Sequence, residues 1–209
     1  MPIHTVKQGE HLSGIAQQYG LSFNDTIWNH PNNAALKNKR KLPHVLMPGD
    51  QLFIPDKNLK EEPCNTGTVH RFRMTSQQLK LRLALTDFDN EPIANADCEL
   101  EIEGAILSLK SDGKGFVEAV IPATAQNGTL RVAALDLECP LKIGHLDPLD
   151  EDSGWRARLE NLGYYAGGGE TDAEQLRYAI EEFQCDHKLS ITGELDAATK
   201  AKLKESHGV

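Results

Sequence analysis

The residues that could carry out catalysis or hold a metal do not form a recognisable set in this sequence. His11, His30 and His44 lie far apart and lack a local ligand pair such as HxxxH. The sequence contains no catalytic cysteine with a histidine partner, no serine nucleophile elbow, no HExxH motif and no HxxxD motif with a downstream HxH. We therefore expect no metal, no cofactor and no enzymatic activity.

The cysteines do not suggest chemistry either. None of the four belongs to a CxxC pair, which argues against a zinc site or a redox motif and leaves three disulfide pairings open: Cys64, Cys98, Cys139 and Cys185. Cys98 falls on the same strand face as Leu100 and Ile102, so we expect it to be a small buried hydrophobic residue.

Charge and hydropathy exclude two classes of partner. The chain has 209 residues and a formal net charge of −9, which argues against nonspecific nucleic-acid binding. No stretch approaches the roughly 18 apolar residues of a membrane helix, so we expect no membrane insertion. The opening MPIHTVKQGE has neither the basic nor the apolar region of a signal peptide. We therefore expect synthesis in the cytoplasm and, for a role outside it, export by a non-Sec route.

Residues 4–55 read as strand, helix, helix and strand. In HTVKQGEHLSGIAQQYG a short strand leads to a turn at Gly9, and apolar residues then recur at helical spacing up to Gly20. In LMPGDQLFIP the Pro48-Gly49 turn precedes an alternating strand. The sequence predicts a compact βααβ unit. Its two glycine turns lie at the same end because the strands are antiparallel neighbours.

These two segments resemble the lysin motif (LysM) family, whose ends read TVKPGDTLSSIAKKYG and LYPGQKLKIP. The resemblance implies a module that binds N-acetylglucosamine-containing glycans, as in peptidoglycan or chitin, without cleaving them. It also implies a shallow groove at the glycine turns, formed by Gly9, Glu10, His11, Leu12, Leu46, Met47, Pro48 and Gly49. Backbone amides at the turns would bond acetamido and hydroxyl groups, while Leu12 and Met47 would offer apolar surface to sugar faces.

The sequence departs from the LysM pattern in two places. Glu10 and His11 stand where the family usually has Asp and Thr, which alters the polar edge of the groove. The segment AALKNKRKLPHV is longer than the family norm and could extend or cover the groove. Its basic run, Lys37 to Lys41, is predicted to be a solvated loop.

The middle of the chain is predicted to be a small antiparallel β-sandwich. Residues 58–78 suit a linker that becomes a first strand near Thr68 to Met74. From residue 79 to 145, short alternating segments are separated by turn signals, one of them at Asn127-Gly128. This pattern resembles immunoglobulin-like or transthyretin-like modules that act as spacers.

Residues 146–209 return to helical periodicity and predict three helices. Ser153 suits the N-cap of the first helix, Gly163 its end, and Asp196 the start of the third. The blocks RLENLGYY, LRYAIEEFQ and ITGELDAATKAKL resemble the helical peptidoglycan-binding domain attached to many hydrolases. The loop AGGGETDAEQ is reduced relative to that family. Five residues are either wall-binding or merely core and cap residues: Tyr164, Tyr165, Phe183, Gln184 and Thr192.

The predicted fold is a multidomain α+β chain. It comprises a LysM domain at 1–57, a linker and first strand at 58–78, a β-sandwich at 79–145 and a helical domain at 146–209. We interpret the chain as a noncatalytic peptidoglycan-binding protein with two wall-binding modules joined by a β spacer, which would act at the cell wall or in the periplasm if exported by a non-Sec route. The alternative is an accessory, adaptor or loading protein of a type VI secretion or other contractile injection system that contacts spike or effector proteins.

Overall fold

The computed structural model describes residues 2–57, 61, 63–71, 79–87, 89–167 and 172–208. The chain divides into two compact units, Met1–His145 and Leu146–Val209. None of the described helices is long and apolar enough to cross a membrane.

The first unit opens with the predicted βααβ arrangement, which the structure confirms. Strands β1 and β2 pair antiparallel and enclose two α-helices, a π-helical segment and a 3₁₀ turn. In chain order these elements are β1 (Ile3–Thr5), α1 (Leu12–Tyr19), the π-helical segment (Phe23–Trp28), the 3₁₀ turn (Pro31–Asn33), α2 (Ala34–Arg40) and β2 (Gln51–Phe53). Helix α1 ends at Gly20, whose left-handed backbone lets its N–H reach the last carbonyl groups of the helix.

A single apolar core holds these elements together. Its buried members come from both strands' flanks, from α1 and from the π-helical segment: Val6, Leu12, Ile15, Ala16, Ile27, Trp28, Leu46, Leu52 and Ile54. The buried Asn33 side chain adds polar links, donating to the carbonyl groups of Ile27 and Phe53 at 2.9 Å each and accepting from the Phe53 N–H at 2.8 Å. These bonds fix the loop before α2 against β2.

The basic run Lys37 to Lys41 is not a loop, so that prediction is wrong. Its first four residues form the last turn of α2, and Lys41 follows as the C-terminal cap. Lys37 and Lys39 are exposed, but Arg40 is buried and pairs with Asp50. In this helical run one cation turns inward to a buried carboxylate, while the lysines stay in water.

The rest of the first unit consists of two antiparallel sheets. Strands β3 and β6 form one sheet, and the other has the order β5-β4-β7-β8. The strands are β3 (Leu79–Ala84), β4 (Asp97–Ile102), β5 (Ala105–Lys110), β6 (Phe116–Ile121), β7 (Asn127–Val132) and β8 (Leu137–Lys142). Alternate residues of both sheets face one core, as the period-two pattern predicts. This β-module includes Cys98 in its core, 3% exposed, which confirms the prediction for that residue.

The structure contradicts the turn predicted at Asn127-Gly128 in the middle region and bears in part on the strand predicted near Thr68 to Met74. Asn127 and Gly128 lie in β7 and do not form a turn, so that interpretation is wrong. A Cβ built on Gly128 would lie 3.0 Å from the Glu101 carbonyl oxygen, so glycine serves close strand approach there. The strand predicted near Thr68 to Met74 lies partly outside the described residues, since 72–78 are not described, and residues 68–71 form no strand.

The second unit contains the three predicted helices, α3 (Asp152–Asn161), α4 (Ala173–Asp186) and α5 (Ala197–His207). Their core consists of Trp155, Leu159, Tyr164, Ala166, Ala179, Ile180, Phe183 and Leu203. Asp196 caps α5 as predicted, accepting the Thr199 N–H at 2.8 Å. Ser153 is not the N-cap of α3, because that helix begins after Glu151. Residues 168–171 of the reduced loop lie outside the described residues.

Candidate functional site

The two glycine turns of the βααβ domain meet at one end, as predicted. The Gly49 N–H donates to the Val6 carbonyl at 2.8 Å, and the Val6 N–H donates to the Asp50 carbonyl at 2.9 Å. The residues after β1 and before β2 are therefore joined directly. This end of the domain brings the two halves of the predicted groove together.

Glu10 fastens the first turn. Its carboxylate accepts the Lys7 N–H at 2.8 Å and lies 2.8 Å from the His4 ring nitrogen Nε2. Burial alone would raise the pKa of Glu10, but the bonds from His4 and Lys7 outweigh it, so the pKa lies below its ordinary value. Glu10 is thus an ionised carboxylate held in place, which suits a fixed acceptor better than a proton donor.

His11 forms the start of α1. It is 5% exposed, and its Nδ1 accepts the Gly14 N–H at 3.4 Å as the helix cap. The centre of its ring lies 6.5 Å from that of His44. Burial lowers the pKa of His11, and the neighbouring His44 lowers it further, so the ring is neutral at neutral pH. Where the family usually has Thr, this chain has a buried neutral imidazole.

The second turn is the exposed half of the predicted groove. Pro48 and Gly49 are exposed and Met47 is half-buried. The Met47 N–H donates to the Asp50 carboxylate at 2.9 Å, and that carboxylate is gripped by Arg40 through bonds of 2.7 and 3.0 Å. A buried ion pair therefore supports this turn, and Pro48 and Gly49 at its surface take no part in that pair.

Leu12 and Leu46 do not reach the surface. They are 0% and 4% exposed and belong to the apolar core. The expectation that Leu12 offers apolar surface to a sugar is wrong. Its position at the start of α1 places it on the inward face of that helix, and Met47 and Pro48 are the apolar side chains of the predicted set that reach solvent.

The β-module packs against the first turn. A Cβ built on Gly144 would lie 2.6 Å from the Gly9 carbonyl oxygen, and one built on Gly9 would lie 2.8 Å from the His145 ring. The Gln8 amide nitrogen also lies 3.4 Å from His145 Nδ1. Each of these two glycines leaves room for the other's segment. The β-module thus covers one side of the predicted groove.

Beside this contact lies a cleft of about 280 Å³ between the two parts of the first unit. Its lining comes from the first turn, α1 and the loop after β6: Gly9, Glu10, His11, Gly14, Ile15, Gln18, Ala123, Thr124 and Gln126. A second depression of about 320 Å³ is lined by Glu103, Thr124, Gln126 and Asn127. The two share Thr124 and Gln126. Sequence reasoning missed these residues, since nothing local marks the loop as part of a site.

The residues predicted for the second module divide into buried and exposed ones. Phe183 and Gln184 are fully buried, and Tyr164 is 5% exposed and donates to Asp186 at 3.0 Å. Tyr165, in contrast, is 67% exposed. The structure therefore places three of these side chains in the core and one in solvent.

Gln184 and Thr192 form a structural network. The Gln184 side chain accepts the N–H groups of Thr192 and Gly193 at 2.8 and 3.1 Å, and donates to the buried Thr199 hydroxyl at 2.8 Å. Thr192 is exposed as a residue, but its hydroxyl accepts from Gln184 at 3.0 Å. These contacts hold the turn before α5.

Metal binding has no support in the described part of the chain, where no group of three or more His, Cys, Asp or Glu side chains could hold an ion. The four cysteines, all of them described, form no disulfide.

Comparison with protein families identifies both ends of the chain. The LysM domain family matches residues 4–55, and the family described as "Putative peptidoglycan binding domain" matches residues 156–203. No curated protein and no solved structure matches the chain. The glycine turns described above lie within the first match, and the core of α3, α4 and α5 lies largely within the second. The chain therefore carries a LysM domain and a helical peptidoglycan-binding domain on either side of a β-module, and the two domains support peptidoglycan binding as its function.

Proposed function

We propose that this chain is a noncatalytic protein of the cell wall that binds peptidoglycan through both of its terminal domains. The observation that carries this proposal is the presence of two different wall-type domains on one chain. In the LysM domain, Met47, Pro48 and Gly49 present a partly apolar turn to solvent. Such a surface suits the face of an N-acetylglucosamine ring, and the turn's backbone suits its acetamido and hydroxyl groups.

Binding without cleavage agrees with the chemistry of the turns. A glycoside hydrolase uses two carboxyl groups that flank the scissile bond, one of them held protonated by its surroundings. Here Glu10 is fastened to His4 and Lys7, Asp50 is fastened to Arg40, and both carboxyl groups have lowered pKa values. Neither is placed to act as a general acid. We expect the purified protein to release no muropeptides from sacculi, and measurable release would contradict this part of the proposal.

The two domains are expected to reinforce each other. Linking two weak sites on one chain makes the second binding event intramolecular, which can raise the overall affinity by roughly 10² to 10⁴. In the second domain, the aromatic side chain of Tyr165 is available for such contact at 67% exposure.

A sedimentation assay with purified sacculi tests this function. We expect the intact chain to sediment at low salt. Each of the variants Met47→Ala and Tyr165→Ala should weaken binding by up to about tenfold. The double variant should lose far more than either single one, because it removes contacts at both ends. Ile106→Ala, which changes an exposed apolar residue of the β-module, is the matched control.

Retention of the intact chain in the supernatant would overturn the proposal. A double variant no weaker than the single variants would show that the two domains do not act together. Neither the domain matches nor the fold favours the alternative role in a contractile injection system, which stays a prediction from the sequence.

A further inference from the structure

The first turn of the LysM domain does not face open solvent on both sides. Gly144 and His145 of the β-module lie against Gly9, and the Ala123 carbonyl lies 3.0 Å from a Cβ built on Gly14. Two separate segments of the β-module thus reach the turn and the first turn of α1. Any ligand at this edge of the LysM domain must meet the β-module as well.

The cleft left between them combines a largely apolar floor with uncharged polar side chains at its rim. Its floor is built from small or buried residues, among them Gly9, Gly14 and Ala123. Its rim carries the exposed side chains of Gln18, Thr124 and Gln126. Amides and hydroxyls donate and accept hydrogen bonds without carrying charge, which matches the hydroxyl and acetamido groups of a sugar.

The charged groups of the rim exclude anions. Glu10 borders the cleft, and Glu103 borders the neighbouring depression. The Glu10 carboxyl has a lowered pKa and is ionised at neutral pH. Two carboxylates repel phosphate and nucleic acid and leave an uncharged ligand as the better fit.

The size of the space points the same way. The cleft of about 280 Å³ and the depression of about 320 Å³ share Thr124 and Gln126, so they adjoin at these two residues. Together they reach the range of about 300–1,000 Å³ that is usual for small-molecule sites. Two adjoining depressions take an extended ligand better than a single sugar ring.

We propose that the β-module completes the glycan site of the LysM domain, with Gln18, Thr124 and Gln126 binding sugar units that continue past the first turn. The ligand class is a glycan chain that contains N-acetylglucosamine, and uncharged N-acetylglucosamine oligomers are its probe. In this arrangement the β-module is more than a spacer, and residues outside the LysM match determine how many sugar units are bound. Because this proposal rests on glycan binding by the LysM domain, its test separates the two.

The test is the affinity of the full chain for N-acetylglucosamine oligomers of three and six units, measured by calorimetry. Gln18→Ala and Gln126→Ala should each weaken binding of the longer oligomer by about three- to tenfold, the effect of losing one or two hydrogen bonds. Gln17→Ala is the matched control, since Gln17 is an exposed glutamine adjacent to Gln18 that does not line the cleft. All three changes are on the surface and should leave the fold intact.

A second variant tests the contact itself. Gly144→Ala places a methyl group against the Gly9 carbonyl and should push the two parts of the first unit away from each other. We expect weaker binding of the longer oligomer, with hydrogen exchange in β4 and β7 confirming that the β-module stays folded.

The outcomes are distinct. If the unaltered chain binds neither oligomer nor sacculi, the proposed function is wrong and this inference is wrong with it. If the chain binds and Met47→Ala weakens it, but the Gln18 and Gln126 variants match the Gln17 control, only the inference is wrong. If Gly144→Ala tightens binding, the β-module obstructs the site, which also overturns the inference.

Discussion

Replacing Asp50 with asparagine is expected to destabilise the LysM domain by about 3–5 kcal/mol, the usual cost of removing one member of a buried ion pair. Arg40 and Asp50 have side chains that are 2% and 7% exposed and lie 2.7 Å apart. Without the carboxylate, the buried Arg40 guanidinium loses its 2.7 Å ion pair with Asp50, and the Met47 N–H loses a charged acceptor. Both losses fall on the turn that carries the exposed half of the predicted groove.

The same pair makes the domain sensitive to acid. Burial alone would raise the pKa of Asp50, but the bonds from Arg40 and Met47 outweigh it and hold the pKa below its ordinary value of 3.8. A carboxyl group with a lowered pKa in the folded state stabilises it above the unfolded pKa. That contribution is lost as the pH falls through the lowered value. The intact LysM domain should therefore lose stability below about pH 4, and the Asp50→Asn variant should lack this part of the dependence.

Hydrogen exchange followed by mass spectrometry measures this effect, because peptides from residues 2–57 report on the LysM domain and peptides from residues 79–145 report on the β-module that holds the control. Asp97→Asn is the matched control, since Asp97 pairs with Lys110 at 3.4 Å and is 84% exposed. It should cost at most about 1 kcal/mol. A double change, Arg40→Met with Asp50→Leu, should recover most of the lost stability. If Asp50→Asn and Asp97→Asn lowered stability equally, the expected contribution of the buried ion pair would be contradicted.

Replacing Gln184 with leucine is expected to destabilise the helical domain by about 3 kcal/mol. The change keeps the volume but leaves the N–H groups of Thr192 and Gly193 without their acceptor and the buried Thr199 hydroxyl without its donor. The turn before α5 would then lose its main polar support. Gln175→Leu, at a half-exposed glutamine on the same helix, should cost about 0.5 kcal/mol or less.

Hydrogen exchange in peptides from residues 172–208 measures this loss of stability. Sacculus binding by the same variants shows whether Gln184 acts in the fold or in ligand binding. A role in structure predicts faster exchange in α4 and α5 together with weaker binding. If Gln184 instead contacts the glycan, its variant should bind sacculi more weakly while hydrogen exchange stays unchanged. That result would contradict a purely structural role for Gln184.

Local patterns were enough to predict most of the elements. The alternation from Leu79 onward gave β3, and the helical spacing after Gly9 gave α1, because each pattern reports directly which face of one element is buried. The Asn127-Gly128 pair misled because the same residues suit a hairpin turn and a strand whose neighbour comes close. The basic run ending at Lys41 was wrongly predicted to be a loop, because its exposed lysines give no sign that Arg40 points inward.

The site was less predictable than the fold. The resemblance located both turns, but it could not show that Leu12 is buried or that Glu10 is fastened to His4. The contact between the first turn and His145 joins residues far apart in the chain, with Gln8 and His145 separated by 137 positions. No local pattern encodes such a contact, so Thr124 and Gln126 could be found only once the fold placed them beside Gly9.

Because Gly9 and Gly144 lie against each other, they determine how large a segment of this chain can be exchanged between proteins. A LysM domain transplanted onto this β-module would need a residue without a side chain at the position of Gly9, and a bare segment opposite it. A chimera cut within residues 58–78 would break that match and expose the turn. A chimera that keeps residues 1–145 together preserves both surfaces, so the LysM domain and the β-module should be transferred as one piece.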